Sequence, residues 1–491
     1  SSHTSGVIGF VDRKNDSHNQ DNNKRTIANA AAIVQNGDVR GIYHKSFLPN
    51  YSVFDEARYF SKGTEPNTLF WYDDIAIGIN ICEDIWIEDG PAEEQVKQGA
   101  SLIININASP YDIHKSETRK EIVMKKALKL NVPIIYLNMV GGQDELVFDG
   151  GSFVVNDLGE IIYQASSFKE EVFHLDIDLK TNKQNDKSPL IIRPKTIELK
   201  DVESKASLSK NESIYSALKL GLKDYVRKNK FTKVLIGISG GIDSALTAAI
   251  CVDALGAENV IGVAMPSKYN SKDSLDDAIK LSDNLGITLK TIEIEKIVDD
   301  FRETLTNSLN EDLGQITDEN IQSRVRGNIL MGLSNQTGAM VVSTGNKSEM
   351  AVGYSTLYGD LAGGFALIKD LYKTKVYELS NYINSISDAI PKNIITKEPS
   401  AELRPNQFDS DSLPDYEVLD KILNLYIEED SSSEKIIASG VDPNLVFDVL
   451  EKVDRNEYKR KQVAPGVKLT QKAFGKDRRM PITNTYIRQK E

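Results

Sequence analysis

The chain has 491 residues, with 59 Lys plus Arg against 72 Asp plus Glu and a formal net charge of −13. Its 40% hydrophobic and 27% charged residues describe a globular protein long enough for two or three domains, each with its own core. The acidic balance argues against nucleic acid as a partner, and no run reaches the roughly 18 apolar residues of a membrane span. Two cysteines, Cys82 and Cys251, exclude a disulfide framework and suggest a reducing, cytoplasmic setting. All five histidines lie at or before His174, so chemistry in the later part must run without a histidine base.

In chain order, VIGFV (7–11) reads as a strand. TIANAAAIV (26–34) and VRGIYHK (39–45) flank Asn36-Gly37, a two-residue hairpin signal. IAIGINI (75–81) suits a buried strand, and 91–100, with Pro near its start and Gly near its end, suits a helix. A strand over SLIININAS, an amphipathic helix over 115–131, a strand over 132–140 and a hairpin over 148–165 complete a layered α/β domain, 1–175. Residues 176–212 lose this regularity and read as a polar linker.

From 213 to 491 the pattern is that of a second domain. A helix (213–229), a strand (233–239), a helix (243–255), a strand (260–267), a helix (273–286) and strands at 288–294 and 339–346 predict a doubly wound parallel sheet. Ligands of such sheets bind at the C-terminal strand ends.

One such end carries GISGGIDSAL (237–246), between an apolar strand and a helix. Glycines there let backbone N–H groups approach an anion, and the helix N-terminus favours negative charge. Ser239 and Ser244 add hydroxyls. Asp243 would repel a phosphate unless a divalent cation lay between them, so it fits an Mg2+ ligand. No GK[ST] follows, so this is no Walker A loop. A bare Gly-Gly turn would read as a tight strand–helix connection; S-G-G-x-D-S in this setting resembles the pyrophosphate loop of the N-type ATP pyrophosphatases. Two further segments, ENIQSRVRGNILM (319–331) and VVSTGNKSEMAVGYSTLYGD (341–360), resemble NAD synthetase motifs. QVAPGVKLTQKAFGKDRRMPITN (462–484) is similar to the tail of the glutamine-dependent members.

That resemblance implies a Rossmann-like domain using ATP and deamido-NAD as substrates. Gly237, Ser239, Gly240, Gly241, Asp243, Ser244 and Thr344 would bind ATP. Asp243 and Glu349 would hold Mg2+. Asn320, Glu349, Tyr354, Ser355, Thr356 and Leu357 would form the deamido-NAD site, closed by Lys468 or a nearby basic residue of the tail. The implied chemistry needs no histidine: an ionised carboxylate attacks the α-phosphate, and ammonia then attacks the acyl-adenylate.

Ammonia needs a source. Cys82, in ICEDIW at the end of a strand, could attack a carboxamide as thiolate. A lone cysteine more often packs as a small hydrophobe, as expected for mid-helix Cys251. Cys82 differs because YHKSFLPNYSVFDEARYF (43–60) accompanies it, and the pair resembles the nitrilase-superfamily glutaminase domain of NAD synthetases. The resemblance implies an α-β-β-α sandwich, with Cys82 as nucleophile, Lys45 as oxyanion donor and Glu56 as the acid supporting the lysine. Tyr51, Ser109 and Lys115 would hold glutamine. The family's general base lies on a segment ahead of the first strand, and the sequence starting SSHTSGVIGF is expected to lack it. A homo-oligomer and a sealed ammonia passage are expected. The rivals are another amidating ATP pyrophosphatase, an amidohydrolase with a degenerate nucleotide domain, and a non-catalytic nucleotide binder.

Overall fold

A computed structural model describes residues 4–13, 27–66, 68–72, 75–177, 179, 204–483 and 485. The chain forms two compact units, one from residues 1–140 with 148–208 and the other from 141–147 with 209–491. Most of the expected linker, 176–212, lies outside the described residues, but its end does not: the next helix already begins at Lys210, with the Ser209 side chain accepting from the Glu212 N–H as cap.

The first unit is built on two sheets. β1 (Ser5–Arg13), β2 (Ile27–Gln35) and β3 (Asp38–His44) form an antiparallel meander, turned at Asn36-Gly37 with both residues at positive φ. β4 (Leu69–Tyr72), β5 (Ile75–Ile81), β6 (Leu102–Asn107) and β7 (Ile134–Asn138) belong to a second sheet, parallel from β5 to β7. A ribbon of β8 (Val140–Gln143) and β9 (Leu146–Asp149) follows β7. β10 (Phe153–Val155) and β11 (Ile161–Gln164) then complete the second sheet in the order β11-β10-β7-β6-β5-β4. The sheets face each other through Ala31, Ile33 and Tyr43 on one and Ile79 and Ile81 on the other. Helices Pro91–Lys97 and Lys115–Leu130 cover the opposite face of the second sheet, burying Ala92, Val123 and Ala127 against Ile103, Ile134 and Tyr136. The described residues thus stack sheet on sheet on helices.

In the second unit, β12 (Val234–Gly237), β13 (Val260–Ala264), β14 (Thr288–Thr291), β15 (Met340–Ser343) and β16 (Phe365–Ala366) form a parallel sheet ordered β14-β13-β12-β15-β16. The order reverses between β12 and β15, so the crevice for a ligand opens beyond their C-terminal ends. Sequence reasoning passed over a second core. There, helices Tyr416–Leu423, Ser433–Ala438 and Pro443–Arg455 bury Leu419, Leu423, Ile436, Val446 and Val449 against Ala351 and Val352.

The domain boundary expected at 175 needs one correction. Residues 141–147, the tip of the β8–β9 ribbon, pack with the second unit. Within that unit the Gly142 N–H donates to Asp224 Oδ2 at 2.8 Å, and Lys369 Nζ pairs with Glu145 Oε1 at 2.7 Å. The Lys468 N–H donates to the Glu145 carbonyl at 2.8 Å. A Cβ on Gly142 would lie 3.1 Å from the Gly221 Cα, so two glycines allow the close approach. Hydrophobicity patterns do not reveal a ribbon whose polar tip is claimed by another core.

Candidate active sites

In the first unit, β3 ends at His44 and β5 at Ile81, and the residues that follow each carry the chemistry. Lys45, 1% exposed, points its ammonium at Glu56, with Nζ 2.7 and 2.8 Å from the two carboxylate oxygens. Such a charge-assisted fork fixes a flexible lysine. Cys82 follows β5 at φ 46°, a strained left-handed conformation for a non-glycine residue that turns its thiol out of the strand. Burial pushes that thiol up to about 11, and the Lys45 charge is the main force pulling it back.

The three expected glutamine holders surround the same strand ends. The Tyr51 hydroxyl donates to the Glu83 carboxylate at 3.0 Å. Lys115 Nζ sits 4.2 Å above the Trp86 ring, and its burial lowers its pKa. The Ser109 N–H donates to Asn138 Oδ1 at 2.9 Å. Ser109 Oγ and carbonyl both accept from the buried Arg119, which also pairs with Asp149 at 2.7 Å. Glu83 and Arg119 were not read from the sequence. Glu83 could have been, as the acid next to the thiol.

In the second unit, a cavity of about 550 Å³ opens at the switch point. Gly237, Ser239, Gly241, Asp243, Ser244 and Thr344 line it, as do Asn320, Glu349, Tyr354, Ser355 and Thr356. Gly240 does not line it. At φ 81°, Gly240 packs against the Ser274 carbonyl, which an added Cβ would meet at 2.2 Å. Leu357 also stays out of the lining, where its carbonyl accepts from Arg324.

Helix Lys347–Val352 begins with a reciprocal cap: the Glu349 N–H donates to Asn346 Oδ1 and the Asn346 N–H donates to Glu349 Oε2. Asn346 also donates to Asp243 at 2.9 Å, so one side chain links the phosphate loop to the acid of the second motif. Between the two acids stands Lys373, its Nζ 2.5 Å from Asp243 and 3.7 Å from Glu349. Burial works against the Lys373 charge, but the two carboxylates outweigh it and hold its pKa above the ordinary lysine value. Burial and the Asp243 charge together raise Glu349.

The sequence reading missed Lys373. It opens helix Lys373–Ser387, where a cation opposes the helix dipole unless an acid faces it, and that mismatch was the available signal. Arg326, also in the lining, is buried with its guanidinium on the Met265 carbonyl and Asn270; desolvation lowers it to about 10.

Of the basic residues expected to close the site, Lys468 and its neighbours take different places. Lys468 does not line the cavity: it pairs with Asp477 at 3.0 Å and donates to the carbonyls of Thr470 and Gln471. Lys459 lines the cavity instead, donating to the carbonyls of Gly353 and Ser355 at 2.7 and 2.8 Å. Its neighbours Asn456 and Arg460 take the carbonyls of Val352 and Ala351, ending the helix that bears Glu349.

The NAD synthase family matches residues 214–463 and the carbon-nitrogen hydrolase family residues 3–185. A glutamine-dependent NAD(+) synthetase of Aquifex aeolicus is 47% identical over 476 residues, covering 94% of this chain and 84% of that protein. One from Thermotoga maritima is 47% identical over 500 residues, covering 98% and 85%. Among solved structures, glutamine-dependent NAD+ synthetase from Acinetobacter baumannii in complex with ADP is 43% identical, with a TM-score of 0.71 over 97% of this chain and 84% of that one.

Proposed function

Because this chain belongs to the glutamine-dependent NAD(+) synthetases, we propose that it releases ammonia from glutamine at Cys82 and uses it to amidate deamido-NAD, splitting ATP to AMP and pyrophosphate. One observation carries the reading: the chain holds both a thiol beside a glutamate-clamped lysine and a phosphate-loop cavity lined by Asp243 and Glu349.

At the first site, the Cys82 sulfur attacks the glutamine carboxamide carbon as its S–H bond breaks, the thiol proton passes to the departing nitrogen, and Lys45 donates to the oxyanion. Ammonia leaves, and water releases glutamate from the thioester. Glu56 holds Lys45 in place, while Tyr51, Ser109 and Lys115 grip the substrate.

At the second site, the carboxylate of deamido-NAD attacks the α-phosphate and pyrophosphate departs; ammonia then displaces AMP from the acyl-adenylate. The backbone N–H groups opening helix Ile242–Leu255, with Ser239 and Ser244 in the cavity lining, would receive the pyrophosphate. Asp243 and Glu349 fit Mg2+, since both face one buried cation and two carboxylates are what a protein commonly supplies when phosphates and water complete the shell. Bound there, the ion supplies charge neutralisation of the departing pyrophosphate. Asn320, Thr356 and Lys459 border the space left for deamido-NAD, and the Thr356 hydroxyl donates to Asn320 Oδ1 at 2.7 Å. The expected homo-oligomer is kept as part of this reading, with the exposed Phe301 and Leu309 of helix Glu295–Leu309 as candidate contacts.

The test separates nitrogen sources. Cys82→Ala should abolish glutamine-supported NAD formation and leave ammonia-supported formation near wild type. Loss of both rates in a folded variant would sink the two-site assignment.

A further inference from the structure

The two atoms of the glutaminase chemistry, Lys45 Nζ and Cys82 Sγ, stand on segments joined by no shared strand pairing: β3 belongs to one sheet and β5 to the other. Packing between sheets tolerates small slides, whereas a nucleophile and its oxyanion donor need registry within a fraction of an ångström. Something must tie the two segments together, and a single carboxylate does so.

Asp84 is completely buried. Its Oδ1 accepts from the backbone N–H of Phe47 at 2.8 Å and of Ser46 at 3.2 Å. Its Oδ2 accepts from the Tyr43 hydroxyl at 2.9 Å and from the Ile81 N–H at 3.0 Å. Tyr43, Ser46 and Phe47 bracket Lys45 on both sides; Ile81 and Asp84 itself bracket Cys82. The Ser46 hydroxyl lies 3.1 Å from the Tyr43 hydroxyl, closing the ring of donors. The contact from Ile81 also braces the turn in which Cys82 holds its strained backbone.

Resting on the reading of Cys82 as nucleophile and Lys45 as oxyanion donor, we propose that Asp84 is a positioning residue: its carboxylate fixes the Lys45 segment against the Cys82 turn and thereby sets the distance between the two catalytic groups. A purely structural acid would serve poorly here. Burial raises Asp84 to about 6 despite its donors, so keeping it ionised at neutral pH costs stability. An apolar residue would fill the space at lower cost but could not gather four donors from two segments.

The experiment uses Asp84→Asn and Tyr43→Phe in the full chain, with Lys45→Met as reference. Asn keeps the size of Asp but turns an NH2 group toward one pair of donors; Phe removes one donor only. The first readout is the pH profile of Cys82 alkylation by iodoacetamide, followed by mass spectrometry with buried Cys251 as internal control. The second is kcat and KM for glutamine beside ammonia-supported synthesis. Asp84→Asn should shift the alkylation profile to higher pH, toward that of Lys45→Met. It should lower glutamine kcat about 10- to 100-fold with KM changed less than about threefold, and leave ammonia-supported synthesis intact. Tyr43→Phe should shift both in the same direction by less, which keeps the test alive if the Asn variant does not fold. Wild-type profiles and kcat in either folded variant would overturn the role. If instead Lys45→Met keeps wild-type glutamine turnover, the assignment of Lys45 falls, and the role of Asp84 falls with it.

Discussion

Replacing Lys373 by Met would remove the one buried ammonium that stands between Asp243 and Glu349. Lys373 is 3% exposed and each carboxylate 18%. Removing one partner of a buried ion pair costs about 3–5 kcal/mol. The residual exposure of both acids lets water offset part of that, so about 3 kcal/mol is expected. For a unit of this size, that is a fall in Tm of roughly 6–10 °C. The same change should turn the two acids into an open cation site. In wild type, Mg2+ without ATP competes with Lys373 and should raise Tm little. In Lys373→Met it should bind the freed carboxylates and recover part of the loss; at one hundred times its Kd, about 2.7 kcal/mol. Thermal melts of both proteins across a Mg2+ series, with Ca2+ as control, give the comparison. Synthetase turnover should fall about 100- to 1000-fold with either nitrogen source, because the cation that orders Asp243 and Glu349 in the cavity lining is lost. A variant with wild-type Tm and no added response to Mg2+ would refute the three-way charge arrangement.

Asp243→Asn should reduce AMP release by orders of magnitude with glutamine or ammonia, as followed by chromatography; near wild-type release would exclude Asp243 from metal binding. Gly240→Ala places a Cβ 2.2 Å from the Ser274 carbonyl at φ 81°. It should cost about 2 kcal/mol or more by denaturant melt and impair ATP use; an unchanged melt would mean the loop relaxes freely. Asp84 titrates near 6 when folded against about 3.9 unfolded. With its folded pKa raised, its contribution is fully present below pH 4 and lost as pH rises through 6. Relative to Asp84→Asn, the wild type should therefore lose roughly 3 kcal/mol between pH 4 and pH 7. Urea melts across that range test the sign, and a difference that grows the other way would be fatal to it.

The two architectures and both reactive segments were legible because each lies where a strand ends, and strand ends show in hydrophobic runs. Lys45, Glu56 and Cys82 share short motifs, and the structure brings them together. Lys373 was hidden because its partner Asp243 is 130 residues away, and nothing local in YKTKVYE names that partner. The tail left the choice of lysine open for a related reason. Lys468 and Lys459 are equally basic, but Asn456, Lys459 and Arg460 lie three and four apart and share one helical face, a spacing that was readable. Asp84 was overlooked because ICEDIW offers two adjacent acids, and only burial tells the half-buried partner of Tyr51 from the fully buried brace of the thiol turn.

The ribbon tip at 141–147 changes what it means to divide this protein. A gene fragment starting at 209 would encode the whole parallel sheet and phosphate loop, yet leave Lys369 without Glu145, Asp224 without the Gly142 N–H, and Val467 and Gly221 without the covering Val147 side chain. A protease nick within 176–212 would break the chain without releasing a finished synthetase, because a piece of that unit is encoded upstream of the cut. Shuffling the glutaminase for another nitrogen donor would therefore require grafting this ribbon into the replacement.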